Sequence, residues 1–522
     1  MPFQNLFTPV LGTDQIGDLI SASPTLRTTW MAVRAGHEKA MRYYSGDIFR
    51  EKVETEIGDD GAPLLYPVGV NLVKMIVISM TDAAFGEWDD QRNVILFRPR
   101  NEKPEQADHD AINFATQILE DSNASSTLWE VEFDRNLYGA GVLRVTFDFN
   151  RPSKIRWTRI PIDSFYPVFD PEDPDRLLEC WYVTQILPEQ AKEVYGIEVE
   201  GDMPITRIEH WSRSIYEITV DGKRVDAYSG VNPWGEIPFI YIPRMRTIDW
   251  WGEGLAEDIY APQDEINMRL GDAGEALNVH SHPVMFGKNL PRDFNAKNFP
   301  LAPNAMWDLG RTRAGRDDPE VGLLESENPV APATFEYIKF LYDWTRTASS
   351  APPIAFGEDD GGGQRSGVTL EIRLWPLLKA MRRSRGYLTA GLLQALQVSG
   401  RILKQKKFRG IDAAVIERLA NRQVVPAYNP VLPRDQAAIV DEVVKLLSTN
   451  PPAISLESAQ IALGRGTQEI VKIMEMMEQI KDWPAVKAAL DKLHKPGLEG
   501  EEPADVEDEP KKQSKGKEDR TK

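Results

Sequence analysis

The sequence predicts an α+β protein in which helices predominate. Stretches with apolar residues at every third or fourth position open the chain and return after residue 254, as in amphipathic helices. Between them, short runs alternate in polarity and are rich in branched and aromatic residues, as strands are. Asp221-Gly222 separates two of these runs and predicts a two-residue hairpin turn. One chain of 522 residues therefore combines helices with antiparallel strands.

The first 250 residues are predicted to form one α+β body. Helices are expected over 24–44, 70–85, 104–122 and 127–138, and glycines at 46, 86 and 139 end three of them. Strands are expected over 142–149, 179–187, 207–211, 215–220, 223–228 and 239–242. The body ends near Arg246.

A helix with an uneven charge distribution is predicted next, over 254–280. Its apolar stripe runs through Leu255, Ile259, Ile266, Leu270 and Leu277, and Pro262 interrupts or kinks its start. Only Arg269 opposes the acids of this stretch, which are Glu257, Asp258, Asp264, Glu265, Asp272 and Glu275. An isolated solvated helix gains nothing from such an imbalance.

The remaining chain is predicted to be helical with one glycine-rich loop. A helix over 334–347 leads to a mobile loop over 351–367, and a long helix over 368–407 follows, with a kink at Pro376. Glu371 is the single acid of the long helix and is outnumbered by basic residues, which include Arg373, Lys379, Arg382, Arg383 and Arg385. Short helices are expected over 435–493. The charged end of the sequence, 497–522, is expected to be disordered.

The overall charge limits the partners that the surface can hold. A net charge of -19 argues against a surface that grips nucleic acid through phosphate neutralisation, although DNA that slides remains a possible partner. Cys180 is the single cysteine, so an internal disulfide is excluded and a reducing compartment fits. No stretch approaches the roughly 18 apolar residues of a membrane span, and the N-terminus does not resemble a signal peptide.

Three short motifs resemble enzyme sites without completing them. Residues 362–369 lack the lysine of a phosphate-binding loop, because Val368 occupies its place, and a flexible loop is the better interpretation. His37-Glu38 begins like a zinc-protease motif, but Met41 stands where the second histidine would be. His280 and His282 have no third ligand nearby, so a helix end is favoured over a metal site.

A carboxylate-rich loop keeps one alternative open. Asp170, Glu172, Asp173 and Asp175 could coordinate Mg²⁺ or Ca²⁺, which would suit a metal-dependent nuclease or protease. The two prolines in this run favour a solvated loop between strands. No nucleophile elbow and no activated base are present. The sequence therefore predicts a protein that is not an enzyme, with no catalytic residue, metal or cofactor.

The order of segments from about residue 20 to 485 resembles the portal proteins of tailed bacteriophages. The pieces that carry the resemblance are Tyr43-Tyr44-Ser45-Gly46, Asn71-Leu72-Val73-Lys74, YGAGVLRVTFDFN, IDSFYPVFDPEDPD, GQRSGVTLEIRLWPLL, PRDQAAIVDEVVKLL and ISLESAQIALG. The resemblance implies a mainly α-helical α+β subunit of a ring of about twelve copies around a channel for double-stranded DNA. It implies virion localisation at the portal vertex after assembly in the host cytoplasm.

The resemblance also assigns each segment to a part of a portal subunit. The implied parts are a wing (1–253), a first stem helix (254–281), a clip (282–332), a second stem helix (333–350), a tunnel loop (351–367), a long kinked helix with the return to the wing (368–433), a helical crown (434–495) and a disordered charged tail (496–522). Pro262 and the acidic tunnel loop depart from the family pattern.

The resemblance implies a role for each group of candidate residues. The six acids of the 254–280 helix would line the channel, whereas from the residues alone they could be an ordinary solvated face. The tunnel-loop residues that would face DNA are Phe356, Glu358, Asp359, Asp360, Gln364 and Arg365. The basic helix would contact a neighbouring subunit, with packaged DNA as the alternative.

Partners are implied in the same way. The clip residues that would dock the terminase large subunit or a head-completion or tail adaptor protein are Asn289, Arg292, Lys297, Arg311, Arg313 and Arg316. The terminase, not this chain, would hydrolyse ATP. Major capsid and scaffolding proteins would surround the ring, and no membrane is involved. A related head-completion connector fits the segment order less well.

Overall fold

The computed structural model describes residues 24–55, 68–86, 95–101, 104–246, 250–281, 284–289, 320–324, 332–358, 367–407, 410–429, 431, 443–446 and 448. Helix accounts for 56% of these residues and strand for 20%, which confirms a mixed fold with helix in excess. The chain divides into two units, 1–434 and 435–522. In the second unit 443–446 and 448 are helical, and the rest of the predicted crown and tail lies outside the described residues.

The first unit begins with five helices. They are α1 (Pro24–Ser45), α2 (Asp47–Thr55), α3 (Leu72–Phe85), α4 (Gln106–Asp121) and α5 (Ala124–Tyr138). Eight of the fourteen residues of α3 are buried, among them Leu72, Ile76 and Phe85, as expected for a helix packed among others, whereas Lys74 and Asp82 are exposed. The short helix α2 was not predicted, because Gly46 was interpreted as an end. It is a turn with φ of 80° between two helices.

Two antiparallel sheets follow in the chain. Their strands are β2 (Ala140–Phe147), β3 (Ile155–Ile160), β4 (Phe165–Phe169), β5 (Leu177–Ile186), β6 (Ile205–Ser212), β7 (Ile215–Val220), β8 (Lys223–Arg224), β9 (Gly230–Val231) and β10 (Phe239–Pro243). The strand β1 (Ile95–Pro99) lies between α3 and α4 and belongs to neither sheet. The small sheet has the order β10-β2-β3, and the larger one has β4-β5-β6-β7-β8 with β9 also paired to β7. Val220 pairs with Lys223 across Asp221-Gly222, both at positive φ, which confirms the predicted hairpin.

The small sheet lies between the helices and the larger sheet. Alternate side chains of β2 point to opposite faces, so Leu143 and Val145 join the core of the helices. Val142 faces the other way, into a second core with Phe165 and Trp211 of the larger sheet. The edge strand β4 is covered by α1, where Trp30 Nε1 donates to Pro167 O over 3.1 Å.

The rest of the first unit consists of long helices and two strand pairs. Its elements are α6 (Tyr260–Ser281), β11 (Val284–Lys288), β12 (Glu320–Leu324), α7 (Pro332–Ala348), α8 (Gly367–Lys406), α9 (Ala413–Ala420) and β13 (Val424–Tyr428). The strands β11 and β12 pair antiparallel, and β13 pairs with β1. Neither pair was predicted. The long helix α8 matches the predicted 368–407 closely and contains Pro376.

The chain leaves the helical core along α6 and returns along α7. Near its start, α6 contacts α3 through Gln263, whose Oε1 accepts from Val73 N over 2.9 Å. Near its end, α7 contacts α3 again, where Tyr342 OH donates to Met75 Sδ over 3.8 Å. The two helices also pack against each other. The described residues between these contacts, in α6, β11, β12 and α7, therefore form an excursion from the body.

The helix α6 begins six residues later than the predicted start at 254. The segment that leads into α6 is extended, because Gly252 and Gly254 pass directly against the backbone of Gly139 and Leu137. A Cβ on Gly254 would lie 2.7 Å from Leu137 O. A 3-10 turn, Glu257–Ile259, comes next, and Pro262 falls in the first helical turn, where its missing amide costs no hydrogen bond. The predicted apolar stripe is wrong at Leu277, which is 47% exposed.

Candidate functional site

The acids of α6 gather on one exposed face. At 3.6 residues per turn, Asp264, Glu265, Asp272 and Glu275 fall within an arc of about 100°. Asp272 and Glu275 are exposed, whereas Ile266 on the opposite side is buried. Glu257 and Asp258 are exposed in the preceding 3-10 turn and are not part of the helix. The structure therefore brings four of the six predicted acids together on one face of the helix.

Arg269 neutralises part of this acidic face. Its Nε lies 2.9 Å from Glu265 Oε1, and its Nη1 lies 3.0 Å from Asp272 Oδ2. The hydrogen bonds to these two carboxylates raise the pKa of Arg269 above its ordinary value, so the guanidinium stays charged. Glu275 makes no ion pair among the described residues. Negative charge therefore remains in excess toward the middle of α6.

Asp264 is engaged with the body of the protein. Its Oδ2 accepts from Tyr43 OH over 2.9 Å and from Lys52 Nζ over 3.0 Å. The Tyr43 ring stacks on Tyr260, with centroids 4.1 Å apart. Burial, followed by the hydrogen bond to Asp264, raises the pKa of Tyr43 to about 12. Asp264 thus ties the start of α6 to α1 and α2.

Two of the short signatures of the resemblance meet at the same junction. Asn71 Oδ1 caps α3 by accepting from Lys74 N over 2.8 Å. Its Nδ2 donates to the carbonyls of Tyr43 and Tyr44, which closes the end of α1. Asn267, buried on α6, accepts from Val70 N over 2.8 Å. The signatures are adjacent in space because Asn71 joins α1 to α3, and Asn267 adds a contact from α6.

The described part of the predicted tunnel loop is anchored by Arg346. This arginine of α7 has a side chain only 2% exposed and pairs with Asp343 and Glu358, each over 2.7 Å. Its guanidinium lies 4.2 Å from the Tyr342 ring centroid and 5.8 Å from that of Phe356. Phe356 also packs against the main core. The other predicted loop residues lie outside the described residues, and they are Asp359, Asp360, Gln364 and Arg365.

The predicted basic residues of α8 fall into two groups. Lys379, Arg382 and Arg383 are exposed, and Lys379 Nζ lies 5.3 Å from the Trp375 ring centroid. Arg385 instead donates from Nε to Ala84 O over 2.7 Å, at the end of α3. Burial lowers its pKa, because the charged guanidinium is largely removed from water. Arg373 is half-buried.

Only one predicted clip residue is described. Asn289 follows β11, is exposed and has a φ of 53°, in the left-handed region that asparagine tolerates. The other predicted docking residues lie outside the described residues, and they are Arg292, Lys297, Arg311, Arg313 and Arg316.

A buried charge network joins α5, β10 and α8, and sequence reasoning missed it. Glu132 and Arg135 pair with each other, and both side chains are 0% exposed. Arg135 Nη2 donates to Ser384 O over 2.9 Å and to Pro243 O over 3.1 Å. Ser384 Oγ donates back to Glu132 Oε1 over 2.9 Å. The signal was available in the sequence, because both charges share a helix face with Leu128.

The carboxylate-rich loop between β4 and β5 is occupied by internal contacts. Asp170 pairs with Arg176 at 3.4 Å, and Asp175 pairs with Arg246. Asp173 Oδ1 accepts from Asp175 N over 3.2 Å. Within the described part of the chain, no three His, Cys, Asp or Glu side chains are grouped to hold a metal. Asp170, Asp173 and Asp175 thus have separate contacts and do not converge.

The cysteine of the chain, Cys180, is buried. Burial raises the pKa of the Cys180 thiol well above its usual range, so the thiol is protonated and inert at neutral pH. Among the described helices, none is long and apolar enough to cross a lipid bilayer.

Comparison with known proteins does not add a family to these observations. No protein-family model matches the sequence, and no curated protein matches it.

Proposed function

We propose that this chain is the subunit of a phage portal ring, an oligomeric channel at one capsid vertex through which double-stranded DNA is packaged and ejected. The observation that carries the proposal is the excursion α6–β11–β12–α7, with exposed acids on one face of α6. A 40-residue helix follows it. This order of elements agrees with the resemblance, which implied a stem, a clip and a long helix in sequence.

The wall of the channel is assigned to the exposed acids of α6 and of the turn that precedes it. These are Asp272 and Glu275 on the helix, with Glu257 and Asp258 in the turn. Repeated around a ring, they oppose the phosphates of a passing duplex. With a Debye length of about 8 Å at physiological salt, this repulsion acts only on DNA close to the wall. The duplex stays centred and mobile.

A basic wall would work against movement of the DNA. Lysines and arginines release counterions when they neutralise phosphates, so the duplex would bind with a strong dependence on salt. Asp264 is excluded from the wall because Tyr43 and Lys52 hold it. Glu265 contributes less, because Arg269 pairs with it and its side chain is only 28% exposed, whereas that of Asp272, which shares the same arginine, is 53% exposed.

The proposed partners follow from this role. Residues of the excursion near Asn289 would dock the terminase large subunit during packaging and an adaptor protein afterwards. The surface of the α+β body would face the major capsid and scaffolding proteins. The portal acts without a cofactor and carries out no chemistry, since ATP hydrolysis belongs to the terminase. Its location is the virion vertex.

The proposal is tested first by electron microscopy of the purified protein. End-on views should show a ring of about twelve subunits with an open centre. A protein that stays monomeric under assembly conditions contradicts the proposal.

Charge reversal then tests the channel wall. The double variant Asp272→Lys and Glu275→Lys should still form rings but package DNA slowly in a reconstituted motor, because the wall would now retain DNA in a salt-dependent way. Reversal of two exposed acids elsewhere, Glu38→Lys and Glu120→Lys, is the matched control and should leave packaging unchanged. Equal packaging rates in both variants would remove α6 from the wall.

A further inference from the structure

A cleft of about 370 Å³ lies between the larger sheet and the long helix α8. Four arginines line it, from the sheet, from α8 and from the segment after α9, together with Gln394 and Gln397. The arginines are Arg176, Arg213, Arg401 and Arg422. In a chain with a net charge of -19, such a concentration of guanidinium groups is a local exception. The cleft offers charged and polar groups to an acidic ligand.

The cleft continues the exposed basic face of α8. At 3.6 residues per turn, Lys379, Arg383, Gln394 and Arg401 fall within an arc of about 60°. The face therefore runs from the exposed lysine and arginines into the cleft. Over these 22 positions the helix advances about 33 Å.

The arginines of the cleft are only partly neutralised by the chain itself. Arg401 pairs with Glu236, and Arg213 lies 3.8 Å from the same carboxylate. Arg422, exposed next to the cleft, donates from Nε to Gln397 Oε1 over 2.9 Å and has no carboxylate partner among the described residues. Positive charge thus remains available at the mouth of the cleft.

A segment with the opposite charge to that of the cleft arginines connects β5 to β6. Lys192 is the only cation between residues 187 and 204, and it pairs with Glu198 at 2.7 Å. Met203 is 80% exposed and Val194 is 50% exposed at the same surface. The exposed acids of this acidic segment are Glu189, Glu193, Glu198, Glu200 and Asp202.

The cleft and the acidic segment lie at opposite ends of the larger sheet. Ile186 pairs with Ile205 where β5 and β6 enter the acidic segment, whereas Arg176 and Arg213 adjoin the other ends of these strands. Ten residues of strand span about 30 Å. One chain therefore cannot place its own acidic segment in its own cleft.

We propose that the α8 cleft receives the acidic segment (187–204) of a second copy of this chain. Two complementary surfaces at opposite ends of one subunit form a heterologous contact, which closes into a ring when the rotation permits. The inference rests on the proposed ring and names the contact that would assemble it. Bidentate pairing of guanidinium with carboxylate gives this contact its specificity.

DNA is a less suitable occupant of the cleft. Asp173, Asp175 and Glu236 also line the cleft, so it suits separate carboxylates, each placed against an arginine, better than a continuous run of phosphates. A peptide segment presents both donors and acceptors along its backbone, which the amides of Gln394 and Gln397 can match. The volume admits a few side chains, and a duplex is too wide to enter.

Charge reversal on each side, singly and together, tests the contact by native mass spectrometry. The cleft variant Arg213→Glu with Arg422→Glu should lose the ring, and so should the segment variant Glu200→Lys with Asp202→Lys, since like charges then face each other. The four substitutions combined should recover rings. Recovery cannot come from local refolding, because the two sides are about 30 Å apart in one chain. The variant Glu38→Lys with Glu120→Lys is the control and should keep the ring.

Cross-linking locates the contact directly. In the double variant Gln394→Cys and Glu200→Cys, a bis-maleimide should join chains into a ladder of multiples, while either single variant should give none. Buried Cys180 should stay unmodified.

The outcomes separate the two proposals. A wild-type chain that never forms rings overturns the proposed function and this contact with it. Rings in all charge variants, together with no ladder, overturn this contact alone and leave the portal proposal standing.

Discussion

The buried network of α5 and the exposed face of α6 use the same charged side chains in opposite ways. Glu132 and Arg135 are 0% exposed and are held by partners of opposite charge and by backbone carbonyls. Asp272 and Glu275 are exposed on a face where acids outnumber the one arginine. Buried, paired charge fixes how helices and strands fit together. Exposed charge of one sign adds nothing to the fold and is free to act on a partner.

Asp264 shows that one helix can carry both kinds of charged residue, those that support the fold and those that are exposed. It lies on the same face of α6 as Asp272, two turns earlier, yet its carboxylate is bound by Tyr43 and Lys52. Position on a helix face alone therefore does not assign a role. The contacts of each acid decide whether its loss affects folding or function.

Removal of one buried charge should have the largest effect. Arg135→Met leaves the Glu132 carboxylate unpaired away from water, and breaking a buried pair in this way costs about 3–5 kcal/mol. Urea unfolding followed by circular dichroism should show this loss in the free energy of unfolding.

The matched control for this variant removes both charges. Glu132→Gln with Arg135→Met should recover a large part of the stability, because no isolated charge remains buried. If the double variant is as unstable as Arg135→Met, packing and not charge pairing explains the loss.

Replacement of Arg346 should cause the second largest loss of stability, since this side chain is buried while its partners are about half-exposed. Arg346→Met removes hydrogen bonds to Asp343 and Glu358, and such charged hydrogen bonds contribute about 1.5–3 kcal/mol. The two carboxylates can turn to water, so the cost should be smaller than for Arg135. Arg382→Met, at an exposed position of α8, is the control and should leave the unfolding midpoint unchanged. Equal losses in both variants would contradict the assignment.

Replacement of Asp264 should have the third largest effect. It should lower the free energy of unfolding by about 1 kcal/mol, as expected for the loss of an ordinary hydrogen bond. Asp264→Ala removes its bonds to Tyr43 and Lys52. Thermal unfolding should show a lower midpoint than for the matched Asp272→Ala. A loss at Asp272 as large as at Asp264 would show that the exposed acids also support the fold.

The same junction predicts a dependence on alkaline pH. The pKa of Tyr43 is raised to about 12 in the folded chain, above the value of 10.0 in the unfolded one. As the pH rises from 10 toward 12, the unfolded chain therefore releases this proton first, and the folded state loses stability. Below pH 10 both states keep the proton and no change follows. Thermal unfolding of Tyr43→Phe should fall less steeply over this range than that of the wild type.

Local pattern in the sequence predicted the fold better than the contacts of the site. Apolar spacing and glycine positions located α3, α5 and α8, and Asp221-Gly222 located a hairpin, because these signals act over a few residues. The pairing of β1 with β13 was missed, since its partners are distant in sequence and each strand is short. The acidic face was found from local charge imbalance. The role of Asp264 was not, because Tyr43 and Lys52 lie 221 and 212 positions away.

The smallest effect on stability is expected where the effect on function should be clearest. Asp272→Asn with Glu275→Gln removes exposed charge, and of the two acids only Asp272 has a charged partner among the described residues, Arg269 of the same helix. Exposed pairs of this kind contribute little, so the free energy of unfolding should change by less than about 0.5 kcal/mol. Rings of this variant should nevertheless retain short DNA duplexes longer than wild-type rings at low salt, and addition of salt should remove the difference. A stable variant with unchanged retention would mean that the exposed face of α6 is turned away from the duplex. The exposed acids would then differ from the buried network only in contacting water, with no role in binding a partner.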